Sequence, residues 1–269
     1  MRFIVVVILS LFTCFKLYAG VYPVSGGVKS FALANSVIAS TGHWALMGNP
    51  ALMSTSEYSS IGIFNNARFG VSDLNTTGFA SCFKTNQGHF GLSFTHYGIE
   101  EFNRQSITVG FGREFSKSHV GASASYLNTK MSKTEKVEAM FINLGLAYNF
   151  SKKFLLAFSS VNINRAKVLV QSSERLESIY NLGSKISISK EVTLYSEVQY
   201  ELDLERTVGK LGLEFEWSKA LSLLSGIATS GEVFNFGGIY TKEKLQAGMA
   251  FSYHQYLGVS PSISISYRL

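Results

Sequence analysis

The chain has 269 residues, a formal net charge of +6 and a mean hydropathy of +0.16. Its basic residues are scattered through turns and loops and do not cluster on one element, which argues against a nucleic-acid-binding protein. Twenty-four glycines, 21 phenylalanines and 13 tyrosines stand beside three prolines, a composition that suits long antiparallel strands.

Residues 1–19 are predicted to be a secretory signal peptide. Arg2 supplies a positive start, residues 3–15 form an apolar stretch, and residues 17–19 resemble a cleavage site. The apolar stretch is shorter than the roughly 20 residues that a membrane-spanning helix needs. A lipoprotein cut before Cys14 is the alternative, but Phe12 and Thr13 are not the small residues that such a site prefers.

Residues 20–56 differ from the rest of the chain because they lack strict alternation. Within residues 30–39, Phe31, Ala34, Val37 and Ile38 recur at helical spacing. Residues 48–53 then predict the start of a second helix, with Asn49 as the N-cap and Pro50 as the first helical residue. We expect two short helices joined by residues 41–48. They form either an arm packed outside the domain or a plug inside a barrel.

Residues 57–269 alternate apolar and polar side chains, the period of a strand with two different faces. The clearest segments are residues 90–95, 107–112, 120–126, 142–149, 192–201, 211–217 and 245–254. Short turns alternate with longer polar loops, and the segments are about ten residues long, which is typical of outer-membrane strands. We therefore predict an all-β fold, an antiparallel transmembrane β-barrel of about 14 strands with a short N-terminal helical plug. A large soluble sandwich is the alternative architecture.

The final strand is predicted to close the barrel. Ile263, Ile265, Tyr267 and Leu269 alternate with small or polar residues over residues 262–269. Pairing with the first strand, near residues 59–64, would remove the last free edge of the sheet.

Nothing in the sequence predicts an enzyme, a metal site or a cofactor. The chain has no Gly-rich phosphate loop, no nucleophile-elbow motif and no Cys/His cluster at ligand spacing. Cys82 is the single cysteine after the predicted cleavage, so an intramolecular disulfide is excluded, and it is expected to be a small apolar residue in a strand.

One cluster of polar residues is predicted to face the lumen, because charged side chains cannot cheaply face hydrocarbon. Its members lie on three successive strands: Lys185, Glu197, Gln199, Glu201, Lys210, Glu214 and Glu216. One alternative is that the cluster only solvates the interior, with its acidic members paired with Lys185 and Lys210. The other is that it forms a specific solute or proton site.

Three segments resemble known outer-membrane barrels. Residues 42–53, which contain Asn49, Pro50, Ala51 and Leu52, look like the N-terminal hatch motif of FadL-like barrels. Residues 97–102 and the final hairpin, residues 252–268, resemble the PorV/PorQ-like group. Together these resemblances cover essentially the whole of residues 20–269, and the chain is shorter than typical members of either group.

The resemblance implies a bacterial outer-membrane protein with its N-terminal segment folded into a fourteen-stranded barrel. FadL-like relatives imply passive transport of small hydrophobic compounds. PorV/PorQ-like relatives imply an accessory barrel of type IX protein secretion that acts as a protein-interaction partner. The expected partners are outer-membrane lipid, the barrel-insertion machinery, and hydrophobic small molecules or secretion proteins, with no nucleic acid. A secreted soluble β protein is the third hypothesis.

Overall fold

A computed structural model describes residues 26–130, 136–167, 175–229 and 234–269. The predicted signal peptide and its cleavage site lie outside the described residues. Within them, fourteen antiparallel strands form one closed barrel in which each strand pairs with its neighbours in sequence. The strands are β1 (Ser60–Ala67), β2 (Asn75–Thr85), β3 (Gly88–Gly98), β4 (Asn103–Phe115), β5 (Ser118–Lys130), β6 (Lys136–Ser151), β7 (Phe154–Val161), β8 (Ile179–Ser187), β9 (Val192–Glu201), β10 (Arg206–Glu216), β11 (Leu221–Ala228), β12 (Phe234–Lys242), β13 (Leu245–His254) and β14 (Gly258–Arg268).

The closed sheet confirms the predicted barrel and excludes the two-sheet sandwich. The seam joins β1 to β14, with Ile63 opposite Ile265 and Ile61 opposite Tyr267. No described helix is long and apolar enough to cross a membrane.

The outer face of the barrel is an apolar belt. On β6, Met140, Ile142 and Leu146 are 66%, 44% and 51% exposed, whereas Gly145 and Ala147 on either side of Leu146 are buried. Ile263, Ile265 and Tyr267 on β14 belong to the same belt, at 51%, 51% and 44% exposure. Alternation of this kind places apolar side chains outward, where hydrocarbon is their only favourable solvent.

The two ends of the barrel differ less than the spacing of turns and loops predicts, because residues 99–102 and 202–205, expected to lie in longer loops, are connections of four residues. Short connections of two to four residues join β2 to β3, β4 to β5, β6 to β7, β8 to β9, β10 to β11 and β12 to β13. We call this rim the short-turn end, and both the entry into β1 and the end of β14 lie there. The other rim, the loop end, includes the described residues 162–167 and 175–178 between β7 and β8, and residues 68–74 between β1 and β2. Two short 3-10 helices, Arg68–Gly70 and Ser72–Leu74, lie in the latter loop.

The described N-terminal segment, residues 26–56, contains one α-helix, α1 (Gly27–Ala32), and two 3-10 helices, His43–Met47 and Pro50–Thr55. The prediction of a helix through residues 30–39 was therefore wrong at its C-terminal end. Ala34 and Asn35 adopt left-handed backbone angles, φ 53° and 59°, which stop α1. The predicted connection also contains a helical turn of its own.

Candidate functional site: the lumen and its N-terminal segment

The N-terminal segment lies against the inner face of the barrel. Its apolar side chains press on inward-facing glycines of widely separated strands. Val28 covers Gly248 on β13, and Leu33 covers Gly226 on β11, where an added Cβ would overlap the segment. Ile38, Leu46 and Trp44 cover further glycines on the other strands, namely Gly183, Gly91, Gly110 and Gly62. The glycines thus allow a folded segment to fit within a narrow lumen.

The predicted hatch residues, Asn49, Pro50, Ala51 and Leu52, are completely buried in this contact. Their backbone lies directly on glycines of three neighbouring strands: Gly112, Gly121 and Gly145. A Cβ on any of the three would overlap the segment, so the close approach requires glycine.

Asn49 ties the segment to the barrel wall. Its Oδ1 accepts a hydrogen bond from the backbone N–H of Ala51 at 3.1 Å, which is the predicted N-cap interaction. Its Nδ2 faces the carbonyl oxygens of Ile38, Leu146 and Phe158 at 3.1–3.3 Å. One side chain therefore caps a helix, joins two parts of the segment and binds β6 and β7.

Two apolar clusters fill the space between the segment and the wall. The first joins residues of the segment such as Leu52 and Met53 to Cys82 and Leu155 on the strands. The second joins Val28, Ala32 and Leu33 to three residues of the wall, Tyr195, Leu224 and Ala250. In both clusters, the segment covers apolar surface that the strands direct inward.

Five residues of β9 and β10 form a continuous buried polar network. The Lys210 ammonium lies 2.7 Å from both Glu197 Oε1 and Gln199 Oε1. Gln199 donates to Glu201 Oε1 at 2.7 Å, and Arg206 forms an ion pair with Glu201 at 2.9 Å. Lys210 and Glu197 are opposite each other in the strand register, which explains their pairing. Because charge is balanced and hydrogen-bonded along the network, it can remain buried.

The same network holds the N-terminal segment. Glu197 Oε2 accepts from the backbone N–H of Ile38 at 3.0 Å, and Lys210 donates to the carbonyl oxygen of Asn35 at 3.3 Å. Both contacts bind backbone groups of the segment just after α1, where no helix satisfies them.

A second anchor binds α1 itself. The Lys29 ammonium lies 2.8 Å and 3.0 Å from the two oxygens of Glu214, and Tyr195 donates to the same carboxylate at 2.8 Å. Burial lowers the pKa of Lys29, but the Glu214 carboxylate outweighs that effect and leaves the pKa above its ordinary value. Lys29 is therefore a cation held at the wall by Glu214.

The predicted polar cluster is thus only partly one group. Lys185 on β8 is half-buried and forms no hydrogen bond or salt bridge among the described residues, and Glu216 is exposed. Sequence reasoning missed Lys29, Tyr195 and Arg206. An isolated lysine in an Ala-rich segment was the signal that could have indicated Lys29.

The lumen wall on β4, β5 and β6 is polar and includes Arg104, whose Nε donates to Thr129 Oγ1 at 3.2 Å. Thr108 and Ser125 share a hydrogen bond of 2.8 Å, and Asn143 donates to Ser123 at 3.0 Å. Hydroxyl and amide groups of β4, β5 and β6 therefore bond to one another in this part of the lumen.

A cavity of about 360 Å³ lies at the short-turn end, between the segment and strands β10 to β14. Lys29, His43, Trp44, Gln246 and Arg268 are among its lining residues. Burial, and then the positive charge of Arg268, lower the pKa of His43 to about 4, so the ring is neutral at pH 7. Among the described residues, no group of three or more His, Cys, Asp or Glu is placed to hold a metal ion.

No protein-family model and no curated protein matches the sequence. Solved structures do match. The Pseudomonas putida toluene transporter TodX gives a TM-score of 0.66 at 14% identity, with 92% of this chain and 98% of that chain covered. A Pseudomonas aeruginosa FadL homologue gives 0.67 at 10% identity, with 93% and 100% covered. The chain has the fold of the FadL-like outer-membrane barrels.

A TodX mutant described as a monoaromatic hydrocarbon channel matches in the same way, with a TM-score of 0.62 at 14% identity, and 91% of this chain and 99% of that chain covered. At these identities the comparison concerns the FadL-like fold, and the apolar belt places that fold in a bilayer. The PorV/PorQ-like resemblance of residues 97–102 and 252–268 stays a prediction.

Proposed function

We propose that this protein is an integral outer-membrane barrel for the passive passage of small hydrophobic compounds, and that the N-terminal segment is its movable plug. The observation that carries the proposal is the lumenal position of residues 26–56, which touch the wall on most sides and are held by two charged anchors. TodX, a toluene transporter, has the same fold.

The two apolar clusters support a hydrophobic solute. If the segment moved aside, wall residues such as Leu155, Tyr195 and Leu224 would lose their cover. Exposed apolar wall surface favours adsorption of a hydrocarbon, which removes the same area from water.

The charged anchors support a plug that can be released. Lys29 and Glu214 are 23% and 13% exposed at the side chain, so this anchor is the one that water can reach. Glu197 and Lys210 are more deeply buried, at 4% and 7%, and removing one charge there leaves the other unpaired.

A double substitution tests the plug. In Glu197→Gln with Glu214→Gln, both anchors lose their negative charge while the side-chain shapes are kept, so the segment should leave the lumen more often. We expect higher single-channel conductance in planar bilayers and faster proteolysis within residues 26–56 of the folded barrel. The matched control is Glu216→Gln, because Glu216 lies on the same strand as Glu214 but is exposed. Equal conductance in all three proteins would contradict the plug.

The solute is tested separately. Cells whose outer membrane carries the protein should take up a labelled monoaromatic hydrocarbon faster than cells without it, and a sugar of similar size should enter at the unassisted rate. Deletion of residues 21–53 should raise the permeability to both. Selective uptake of the sugar by the unchanged protein would overturn the hydrophobic solute and leave the plug intact.

The accessory role in type IX protein secretion remains the alternative prediction. Pull-down from intact outer membrane separates the two functions, since co-purification with translocon proteins supports the accessory role, whereas lipid or detergent retained in the lumen supports transport.

A further inference from the structure

The short-turn end of the barrel carries an excess of positive charge. Each of its six turns has at least one Lys or Arg within it or beside it. Ten basic residues lie at this rim: Lys84, Arg113, Lys117, Lys152, Lys153, Lys190, Lys219, Lys242, Lys244 and Arg268. Five glutamates share it: Glu57, Glu114, Glu191, Glu216 and Glu243. Arg268 lines the lumen cavity. We call the other nine basic residues the basic rim.

The loop end shows no such excess in the described part of the chain. Its basic residues are Arg68, Arg104, Lys130, Lys136, Arg165, Lys167, Arg175 and Arg206. Its acidic residues are equal in number: Asp73, Glu100, Glu101, Glu138, Glu177, Glu201, Asp203 and Glu205. The charge asymmetry therefore runs along the barrel axis and is a property of the fold, since the turns are far apart in sequence.

The described part of the chain forms no salt bridge with the basic rim. None of its nine side chains lies within ion-pair distance of a carboxylate there. At the loop end, by contrast, Arg165 pairs with Asp203 at 2.9 Å. All nine side chains of the basic rim are exposed.

Exposed aromatic residues of the outer belt adjoin the basic rim. Phe115, Trp217 and Tyr267 are 52%, 67% and 44% exposed beside the turns. Two cations lie over such rings, with Arg113 at 5.1 Å from the centre of Phe115 and Lys244 at 5.9 Å from Tyr267. Aromatic side chains in this position mark the boundary between hydrocarbon and headgroups. The cations beside them are therefore at the level of lipid phosphates.

We propose that the basic rim binds the phosphate headgroups of anionic phospholipids in the leaflet at the short-turn end. The charges are distributed over all six short turns, which fits a shell of many small anions better than one compact acidic partner. Ammonium and guanidinium groups at phosphate level attract anionic lipid electrostatically and through hydrogen bonds. This proposal does not depend on the solute that the barrel carries.

Trp217 provides a direct probe of that shell. The chain has two tryptophans, and the other, Trp44, faces the lumen. The turn that bears Trp217 lies between two other basic turns, because Glu216 N–H bonds to the Glu191 carbonyl at 2.8 Å and Thr241 N–H bonds to the Ala220 carbonyl at 2.7 Å. Lys190, Lys219 and Lys242 therefore surround the probe.

The experiment places the full-length folded barrel in phosphatidylcholine vesicles that contain phosphatidylglycerol. Either lipid is brominated high on its acyl chain, and quenching of tryptophan fluorescence is measured. We expect brominated phosphatidylglycerol to quench about threefold more per molecule than brominated phosphatidylcholine at low salt. The ratio should fall toward one at high salt, because exposed charges are screened.

Two variants locate the effect. The triple variant Lys190→Gln, Lys219→Gln and Lys242→Gln should bring the quenching ratio close to one. The matched control, Lys130→Gln with Lys136→Gln, neutralises a cross-strand pair at the loop end and should keep the ratio of the unchanged protein. A ratio near one in the unchanged protein, or a ratio that the triple variant leaves intact, would overturn the proposal.

Discussion

At the scale of single residues, identical glycines have opposite environments in this barrel. Gly121 and Gly145 face inward under the backbone of residues 49–51, whereas Gly209 and Gly238 have no neighbour closer than 3.7 Å to an added Cβ. Gly121 and Gly145 therefore form a contact surface for the N-terminal segment, whereas Gly209 and Gly238 are only small residues within a strand. The high glycine content thus reflects the packing of the N-terminal segment as well as strand formation.

We expect Gly145→Ala to destabilise the folded barrel by about 1–3 kcal/mol, the usual cost of an added methyl group in a filled interior. The Cβ would overlap Asn49 Oδ1 and disturb the hydrogen bonds that Asn49 makes. Urea unfolding in detergent micelles, followed by tryptophan fluorescence, measures the change.

Gly209→Ala is the control for that substitution, since its nearest contact would be Thr229 Cγ2 at 3.7 Å. Its unfolding midpoint should equal or exceed that of the unchanged protein. Equal losses at both positions would show that backbone conformation, and not contact with the segment, explains the effect.

At the scale of elements, β14 has two faces with different roles. Its outward face carries Ile263, Ile265 and Tyr267 of the apolar belt. Its inward face carries small polar residues, of which Ser264 accepts a hydrogen bond from the backbone N–H of Val28 at 3.2 Å. One strand therefore faces the apolar exterior, closes the sheet against β1 and supports the N-terminal segment.

The double variant Ile263→Lys and Ile265→Lys should fail to assemble in the membrane. A lysine on the lipid face near the bilayer centre costs about 2–4 kcal/mol, and two of them on one strand approach the whole stability of a typical domain. The measurement is recovery in the outer-membrane fraction together with the heat-dependent shift in gel mobility of a folded barrel.

Tyr256→Lys serves as the control, because Tyr256 is 78% exposed in the connection between β13 and β14. It should insert normally. A soluble, stably folded product from the double variant would show that β14 does not face lipid.

At the scale of the whole molecule, closure of the sheet leaves no free strand edge in the described barrel. The register of β1 with β14 runs from Ser60 opposite Arg268 to Asn66 opposite Ser262. Leu269 continues the seam, since its N–H donates to the Ser59 carbonyl at 2.8 Å. The first and last strands are thus bonded on both sides, like the strands between them.

Hydrogen exchange tests closure in the reconstituted protein. The amides of β1 and β14 should exchange as slowly as those of β5, because both strands are bonded to two neighbours. The protected amides of β1 should include those directed at β14. Fast exchange confined to β1 and β14, with β5 protected, would indicate an open sheet.

The sequence by itself determined the barrel: alternation predicted strands, turn spacing predicted the short-turn end, and residues 262–269 predicted the seam. These features are local, because the side-chain period of a strand follows from its backbone geometry. The N-cap at Asn49 was equally local.

Only the tertiary structure decided how the N-terminal segment is held. α1 ends at Ala32. Lys29 contacts Glu214 and Ile38 contacts Glu197, and the two residues of each pair are more than 150 positions apart in sequence. Residues 26–56 are surrounded by wall, so they show no two-sided periodicity from which burial can be inferred. Their positions, like the charge excess of the basic rim, follow from which strands the closed sheet brings together.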